Sequence, residues 1–356
     1  MNNDISILQK NAIELLQQLI AIPSFSKEED KTAALIENFL LNKNIPAKKY
    51  LNNVWAVTQY FDESKPTILL NSHHDTVKPN SQYSLDPFAP AIEDGKLFGL
   101  GSNDAGGCLV SLLATFCNFY ERKDLKYNLL FAASAEEEIS GINGIEALLP
   151  KLGKIDCAIV GEPTQMQMAV AERGLMVLDC ITSGKAGHAA RKEGENAIYK
   201  ALKDIEWFNN YQFSKVSDLL GPVNMTVTVI ETENKAHNVV PAQCRFVVDI
   251  RVNELYSFEE VLETIKKNIA SNATPRSCRL RSTSIALEHP LVKAGLQLNR
   301  TYYGSPTTSD KALMFFPALK MGPGDSARSH SANEYIYIHE INEGIDLFIK
   351  LLEQLL

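Results

Sequence analysis

The sequence predicts an α/β protein, a mostly parallel sheet flanked by helices and interrupted by an inserted α+β domain. Two observations carry this. Four short apolar runs bounded by turn residues alternate with helical segments, which is the pattern of a parallel sheet covered on both faces. Between about Glu172 and Ser284 the order changes to β-α-β-β-α-β, the split-βαβ unit of a ferredoxin-like domain, and a run of the first kind resumes after it. At 356 residues the chain is also long for a single core. The expected domains are 1–171 and 285–356, the two parts of the larger domain, with 172–284 inserted between them.

Each element has a local reason. Near the N-terminus Ile7/Leu8, Leu15/Leu16 and Leu19/Ile20 repeat at helical spacing, and Thr32 to Leu41 reads as a second helix. Val54 to Tyr60 reads as a strand. The four apolar runs are Thr67 to Ser72, Asn128 to Ser134, Cys157 to Val160 and Ala318 to Met321, with helices expected over Ala105 to Tyr120, Gly144 to Leu149 and Ile341 to Leu356. In the insertion, strands are expected at Leu175 to Thr182, Asn224 to Glu231, Ala242 to Val252 and Arg279 to Ser284, with helices at Asn196 to Tyr211 and Ser257 to Ile269.

Composition excludes several classes. The net charge of -8 and the lack of a dense basic run argue against nucleic acid or an anionic membrane as partner. No stretch is apolar for long enough to span a bilayer, and Asp4, Gln9 and Glu14 run through the apolar positions of the N-terminus as no secretory leader would tolerate. The six cysteines are dispersed among apolar residues with no CxxC pair, the usage of a reducing cytoplasm.

The residues at the carboxyl ends of the apolar runs carry the chemistry. The first run ends at His73 with Asp75 two residues on; the second at Glu136, Glu137 and Glu138; the third at Glu162 in GEPT; the fourth leads through Gly322-Pro323-Gly324 to His330. Asp104 lies in the glycine-rich GLGSNDAGG before a helix. Residues just past the carboxyl ends of parallel strands converge on one crevice. Each has an ordinary explanation alone: a buried histidine, a helix N-cap, a solvated acidic face, a turn residue, a surface histidine. Together they form a set of imidazole and carboxylate donors suited to two divalent cations, Zn2+ first, with Co2+ or Mn2+ fitting the same ligands. His73 would serve one ion and His330 the other, Asp104 would bridge, and Glu138 and Glu162 would divide between them. The three carboxylates offset most of the charge of two such ions. Glu137 remains free to act as general base, and Asp75 is placed to orient His73.

These segments (SHHDTV, GSNDAGG, SAEEE, VGEPT and GPGDSARSHSANE) resemble, over essentially the whole chain, the dinuclear zinc amidohydrolase family that includes acetylornithine deacetylase, succinyl-diaminopimelate desuccinylase, aminoacylase and the glutamate carboxypeptidases. The resemblance implies His73, Asp104, Glu138, Glu162 and His330 as metal ligands, and Glu137 as base, with Asp75 also in the catalytic set. It implies that the inserted domain is a lid that pairs two subunits into a homodimer, with His188 in GKAGH reaching the partner's active site to meet the oxyanion. Asn238 in HNVVPA, Arg173, Arg251, Gly322 and Gly324 are the candidate substrate-binding residues. The chain also departs from the family: Leu100 and Gly106 stand near places that often hold Arg and Lys, and Ala190 and Arg191 come after the lid histidine. The implied reaction is hydrolysis of an N-acyl amino acid. Deacetylation of N-acetylornithine or N-acetylcitrulline in arginine synthesis is the first choice, on the GLGSND and GHAARKEGENAI segments. Desuccinylation is the second, because Arg191 beside His188 suits a second carboxylate. A related metallo-carboxypeptidase is third, and a metal-free scaffold retaining the fold is the non-enzyme alternative.

Overall fold

The computed structural model describes residues 5–191 and 193–356; residues 1–4, in the first expected domain, and Lys192 lie outside it. Two compact units result, one of residues up to Val170 with Ile285–Tyr303 and Ser309–Leu356, the other of Ala171–Ser284 with Gly304–Thr308. Gly304–Thr308, expected in the larger domain, belongs to the smaller one. The reason is local: Arg173 donates its N–H to the Ser305 carbonyl (3.4 Å) and accepts the Thr308 hydroxyl proton at its own carbonyl (3.0 Å).

In the larger unit the four apolar runs become four neighbouring strands, all parallel, in the order Asn128–Ser134, Thr67–His73, Cys157–Val160, Ala318–Lys320. Every residue of these strands is buried, which is why they read as continuous rather than alternating apolar runs. Register aligns their ends. His73 pairs with Ser134, Asn71 with Val160 and Val160 with Lys320, so the chain leaves all four strands at one edge. Asn53–Val57 and Met168–Glu172 flank them as antiparallel strands. Helix Gly107–Phe119 is buried on nearly all sides, packed between the strand Thr67–His73 and the helices Ile5–Ile20 and Ile338–Glu353. Among the described residues no helix is long and apolar enough to cross a membrane.

A small three-stranded sheet, Ala91–Glu93, Lys96–Phe98 and Tyr335–Tyr337, was not anticipated. Its hairpin turns at Asp94-Gly95, both with positive φ (49° and 74°), the geometry that an Asp-Gly pair favours. It holds the chain just after Glu334 against the segment leading to Asp104.

The smaller unit is an antiparallel sheet in the order Asn224–Glu231, Gln243–Val252, Gly174–Ser183, Asn272–Pro275, with helices Ala197–Asn210 and Phe258–Asn268. Leu178, Cys180, Phe246, Val248, Phe208 and Ile265 share its core. The last strand is therefore Asn272–Pro275 and not Arg279–Ser284. As an edge strand it buries only Ala273 and leaves no period in the sequence. Of the segment expected, only Thr283–Ser284 is extended, and it pairs with Glu172 and Ala171.

Candidate metal centre

His73 is the last residue of its strand and is 1 % exposed. Its Nδ1 lies 3.0 Å from the Asp75 carbonyl oxygen and 3.4 Å from the Asp75 carboxylate. The ring thereby turns Nε2 toward three carboxylates: Asp104 at 3.3 Å, Glu137 at 3.8 Å and Glu162 at 3.8 Å. The Asp75 carboxylate also has other partners. It accepts the backbone N–H of Glu137 (3.0 Å) and of Glu138 (3.1 Å) and the Ser26 hydroxyl (2.7 Å). So Asp75 faces the imidazole with both its carbonyl and its carboxylate, and the carboxylate also fixes the turn that presents the two glutamates. His74 points away, between the Thr32 hydroxyl and the Asn52 carbonyl.

Asp104 sits in an irregular turn, with Gly101 at φ 75° and a cis peptide bond to Ala105; the helix begins at Gly107, so Asp104 is not its N-cap. Its two oxygens face opposite histidines, Oδ1 to His73 (3.3 Å) and Oδ2 to His330 (3.7 Å). His330 Nε2 in turn lies 2.9 Å from Glu138. Donor atoms of His73, Asp104 and Glu138 fall within 4.8 Å of one another, as do those of His73, Glu137 and Glu162. Two half-sites emerge, His73 with Glu162 and His330 with Glu138, and Asp104 stands between them. The third member of the acidic run departs: Glu136, at φ 54°, folds back onto the backbone and side-chain amides of Asn143.

Electrostatics state what the cluster lacks. Burial pushes the Glu137 carboxyl well above its ordinary value, and the charges of Glu162, Asp310 and Glu138 add to it, opposed by His73. Burial also lifts Asp310 to about 7 and Glu334 to about 8. Burial works against charge on His73, yet bonds to Asp104 and Asp75 outweigh it and hold its pKa well up; His330 rises to about 9, chiefly through its bond to Glu138. The crevice thus concentrates buried carboxylates beyond what two imidazoles offset. Divalent cations would supply the missing charge, and the mixed nitrogen and oxygen donors suit Zn2+ or a similar ion.

Gly322 and Gly324, expected beside substrate, are buried. A Cβ on Gly322 would meet the Cys108 sulfur at 2.5 Å, and its N–H and carbonyl are both taken by Thr164. A Cβ on Gly324, at φ 88°, would meet the Asn103 side chain at 2.5 Å. Their role is close packing behind Glu162 and Asn103. The other candidates lie in the smaller unit. His188 and Asn238 are exposed and adjacent: Gly187–His188 pairs with Val239–Val240, and the Ala189 N–H donates to the Asn238 carbonyl (3.0 Å). Arg173 donates to the Leu220 carbonyl and Arg251 pairs with Asp249 at 2.8 Å. Burial lowers the Arg173 pKa, and the nearby charge of Arg251 lowers it further, so the two guanidiniums are neighbours.

Two residues escaped the sequence reading. Asp310 is buried and accepts the Ser134 hydroxyl at 2.6 Å, and Glu334 accepts three backbone N–H groups of the Asp104 turn. Neither had a local signal: Asp310 sits between Thr307-Thr308-Ser309 and Lys311, and Glu334 lies among polar loop residues.

A mostly parallel sheet that gathers histidines and carboxylates at one edge defines a class, the metal-dependent amidohydrolases. The chain belongs to peptidase family M20/M25/M40, whose pattern matches residues 69–354. It is 27 % identical over 366 residues to the succinyl-diaminopimelate desuccinylase of Orientia tsutsugamushi (strain Ikeda), covering 94 % of each chain. It is 24 % identical over 383 residues to that of Rickettsia felis, covering 97 % of this chain and all of the other. Among solved structures it superposes on the aminopeptidase PepT of Bacillus cereus (TM-score 0.77, 18 % identity, 98 % of each chain). It also superposes on a Bacillus subtilis protein described as a dinuclear metal binding peptidase of the M20 family (TM-score 0.75, 16 % identity, 98 % of each chain). The relatives bear the name of the second choice made from the sequence, desuccinylase, rather than the first.

Proposed function

We propose that this chain hydrolyses the amide bond of an N-succinylated diamino acid of the diaminopimelate type, using two divalent cations, Zn2+ by preference. The placement of Glu137 carries the hydrolytic reading: it faces the same crevice as His73, Asp104 and Glu162, and with Glu162 assigned to the His73 ion and Glu138 to the His330 ion it serves as base rather than ligand. His73, Asp104 and Glu162 would hold one ion and His330, Asp104 and Glu138 the other. When bound, such ions polarise a carbonyl and acidify water. Glu137 takes the proton from the attacking water and returns it to the leaving nitrogen. Asp75 keeps both glutamates in place through their backbone N–H groups.

The succinyl group is favoured by the names of the relatives and by the neighbouring Arg173 and Arg251, a pair suited to a substrate rich in carboxylates. The inserted domain serves as lid and dimer contact in this reading. Its edge strand Asn224–Glu231 exposes Val229 and Ile230, an unpaired apolar edge that a second copy would cover. His188 of the partner subunit, with Asn238 beside it, would meet the developing oxyanion. The six cysteines are free thiols, in keeping with a reducing cytoplasm. Deacetylation of N-acetylornithine or N-acetylcitrulline is the second reading, on the GLGSND and GHAARKEGENAI segments.

Steady-state hydrolysis of succinylated and acetylated diaminopimelate, ornithine and citrulline decides between them. The expected result is a kcat/KM for succinyl-diaminopimelate at least about 10-fold above that for acetylornithine, because a substrate carboxylate meeting a guanidinium makes a charge-assisted bond that the acetyl compound cannot. A preference for the acetyl compounds would transfer the assignment to deacetylation.

A further inference from the structure

We propose that Glu334 is a positioning residue that ties the two halves of the metal centre together, holding the turn that carries Asp104 against the loop that carries His330. The inference rests on the metal-centre reading above. Glu334 is 2 % exposed. Its Oε1 accepts the backbone N–H groups of Asn103 (2.8 Å) and Asp104 (2.9 Å), its Oε2 accepts that of Gly101 (3.1 Å), and its own carbonyl accepts that of Gly99 (3.0 Å). Four bonds to one residue therefore set the path of the chain from Gly99 to Asp104, the residue whose two oxygens face both histidines.

The other end of the same loop is tied to the same turn. Asn103 exchanges bonds with Asp325, its Nδ2 donating to the Asp325 carbonyl (3.0 Å) and its Oδ1 accepting the Asp325 N–H (3.0 Å). Between these feet, Arg328 is held by a two-pronged bond to Glu340 (2.8 and 2.6 Å) and by the rings of Tyr335 and Tyr337, and Ser331 closes onto the Arg328 carbonyl (2.6 Å). His330 lies within this span, and its own side chain is 56 % exposed. Its ring is fixed at one end by the bond to Glu138 (2.9 Å), and the backbone that presents it is set by the path of the loop, of which Glu334 is the foot that also sets Asp104. An amide at 334 would present N–H to N–H where the carboxylate now accepts, and leave a buried donor without a partner.

The test reads metal affinity rather than turnover. Apo protein is titrated with Zn2+ against a chromophoric chelator, with circular dichroism to verify the fold, for wild type, Glu334→Gln, Asn103→Ala and His330→Ala. The binding step that His330→Ala abolishes identifies the His330 half-site. In Glu334→Gln that step weakens about 10- to 100-fold, as loss of a residue supporting a ligand does, while the other step moves less. Asn103→Ala, which cuts the second tie without touching the buried carboxylate, weakens the same step about tenfold and stands in if Glu334→Gln does not fold. Folded variants that keep both affinities within about threefold of wild type overturn the inference alone. Wild-type protein that takes up no Zn2+ overturns the metal-centre reading, and this inference with it.

Discussion

Glu136, Glu137 and Glu138 are consecutive, yet the structure gives them three different tasks. Glu136 leaves the crevice because its left-handed backbone turns the side chain to Asn143. Glu138 reaches His330, and Glu137 stays beside His73, which it shares with Asp104 and Glu162. Replacing Glu137 by Gln should lower kcat by about 100- to 10,000-fold, the range for a lost general base, while metal analysis shows unchanged equivalents per chain. A Glu137→Gln enzyme within about threefold of wild type would remove Glu137 from the mechanism. His73 was legible because an apolar run ends on it. The division of labour within the acidic run was not, since nothing local in the sequence indicates which backbone turns left-handed.

At the scale of elements, the sheet of the smaller unit is tied across its exposed face by one carboxylate. Asp179 on Gly174–Ser183 bonds Arg245 of the neighbouring strand (2.7 Å) and Arg276 just beyond the edge strand (2.8 and 3.0 Å). Arg276 first, then Arg245, hold the Asp179 carboxyl well below the usual carboxylate range. With the folded pKa below the unfolded value of about 3.9, the unfolded chain takes up the proton first as the solution is acidified. The stabilisation is therefore present above about pH 4 and is lost on going lower. Asp179→Asn should reduce unfolding free energy at pH 7 by about 1 kcal/mol or less, and in urea titrations the difference between the two proteins should shrink steadily as the pH falls below about 4. A difference that stayed constant with pH would show that the loss has another cause. The same sheet marks the limit of pattern reading. Its inner strands alternate or run apolar and were legible, whereas the edge strand Asn272–Pro275 was displaced in the prediction because one partner and one buried side chain suffice to form it.

At the scale of the whole molecule, the reading depends on a second copy of the chain. The larger unit carries the candidate metal ligands and the smaller unit carries His188. If each active site takes His188 from its partner, a preparation in which His188→Ala and Glu137→Gln subunits are unfolded together and refolded as mixed dimers should regain activity that neither parent has. A mixture shown by native mass spectrometry to contain the mixed dimer, yet inactive on the substrate panel, would defeat the cross-subunit role.

The sequence by itself determined the class of fold and the set of candidate ligands. Fully buried parallel strands require continuous apolar runs, parallel register aligns their ends, and His73, Glu137, Glu138 and Glu162 follow those ends as candidate ligands. The tertiary structure alone decided how those side chains are held. Asp75 faces His73 with its carbonyl and carboxylate and holds the backbone of the glutamates with the latter, Gly322 and Gly324 are closely packed, and Glu334 bonds a turn 230 residues earlier in the chain. Such bonds join segments that meet only on folding, and a buried acceptor with three N–H partners looks, in sequence, like any glutamate in a polar loop.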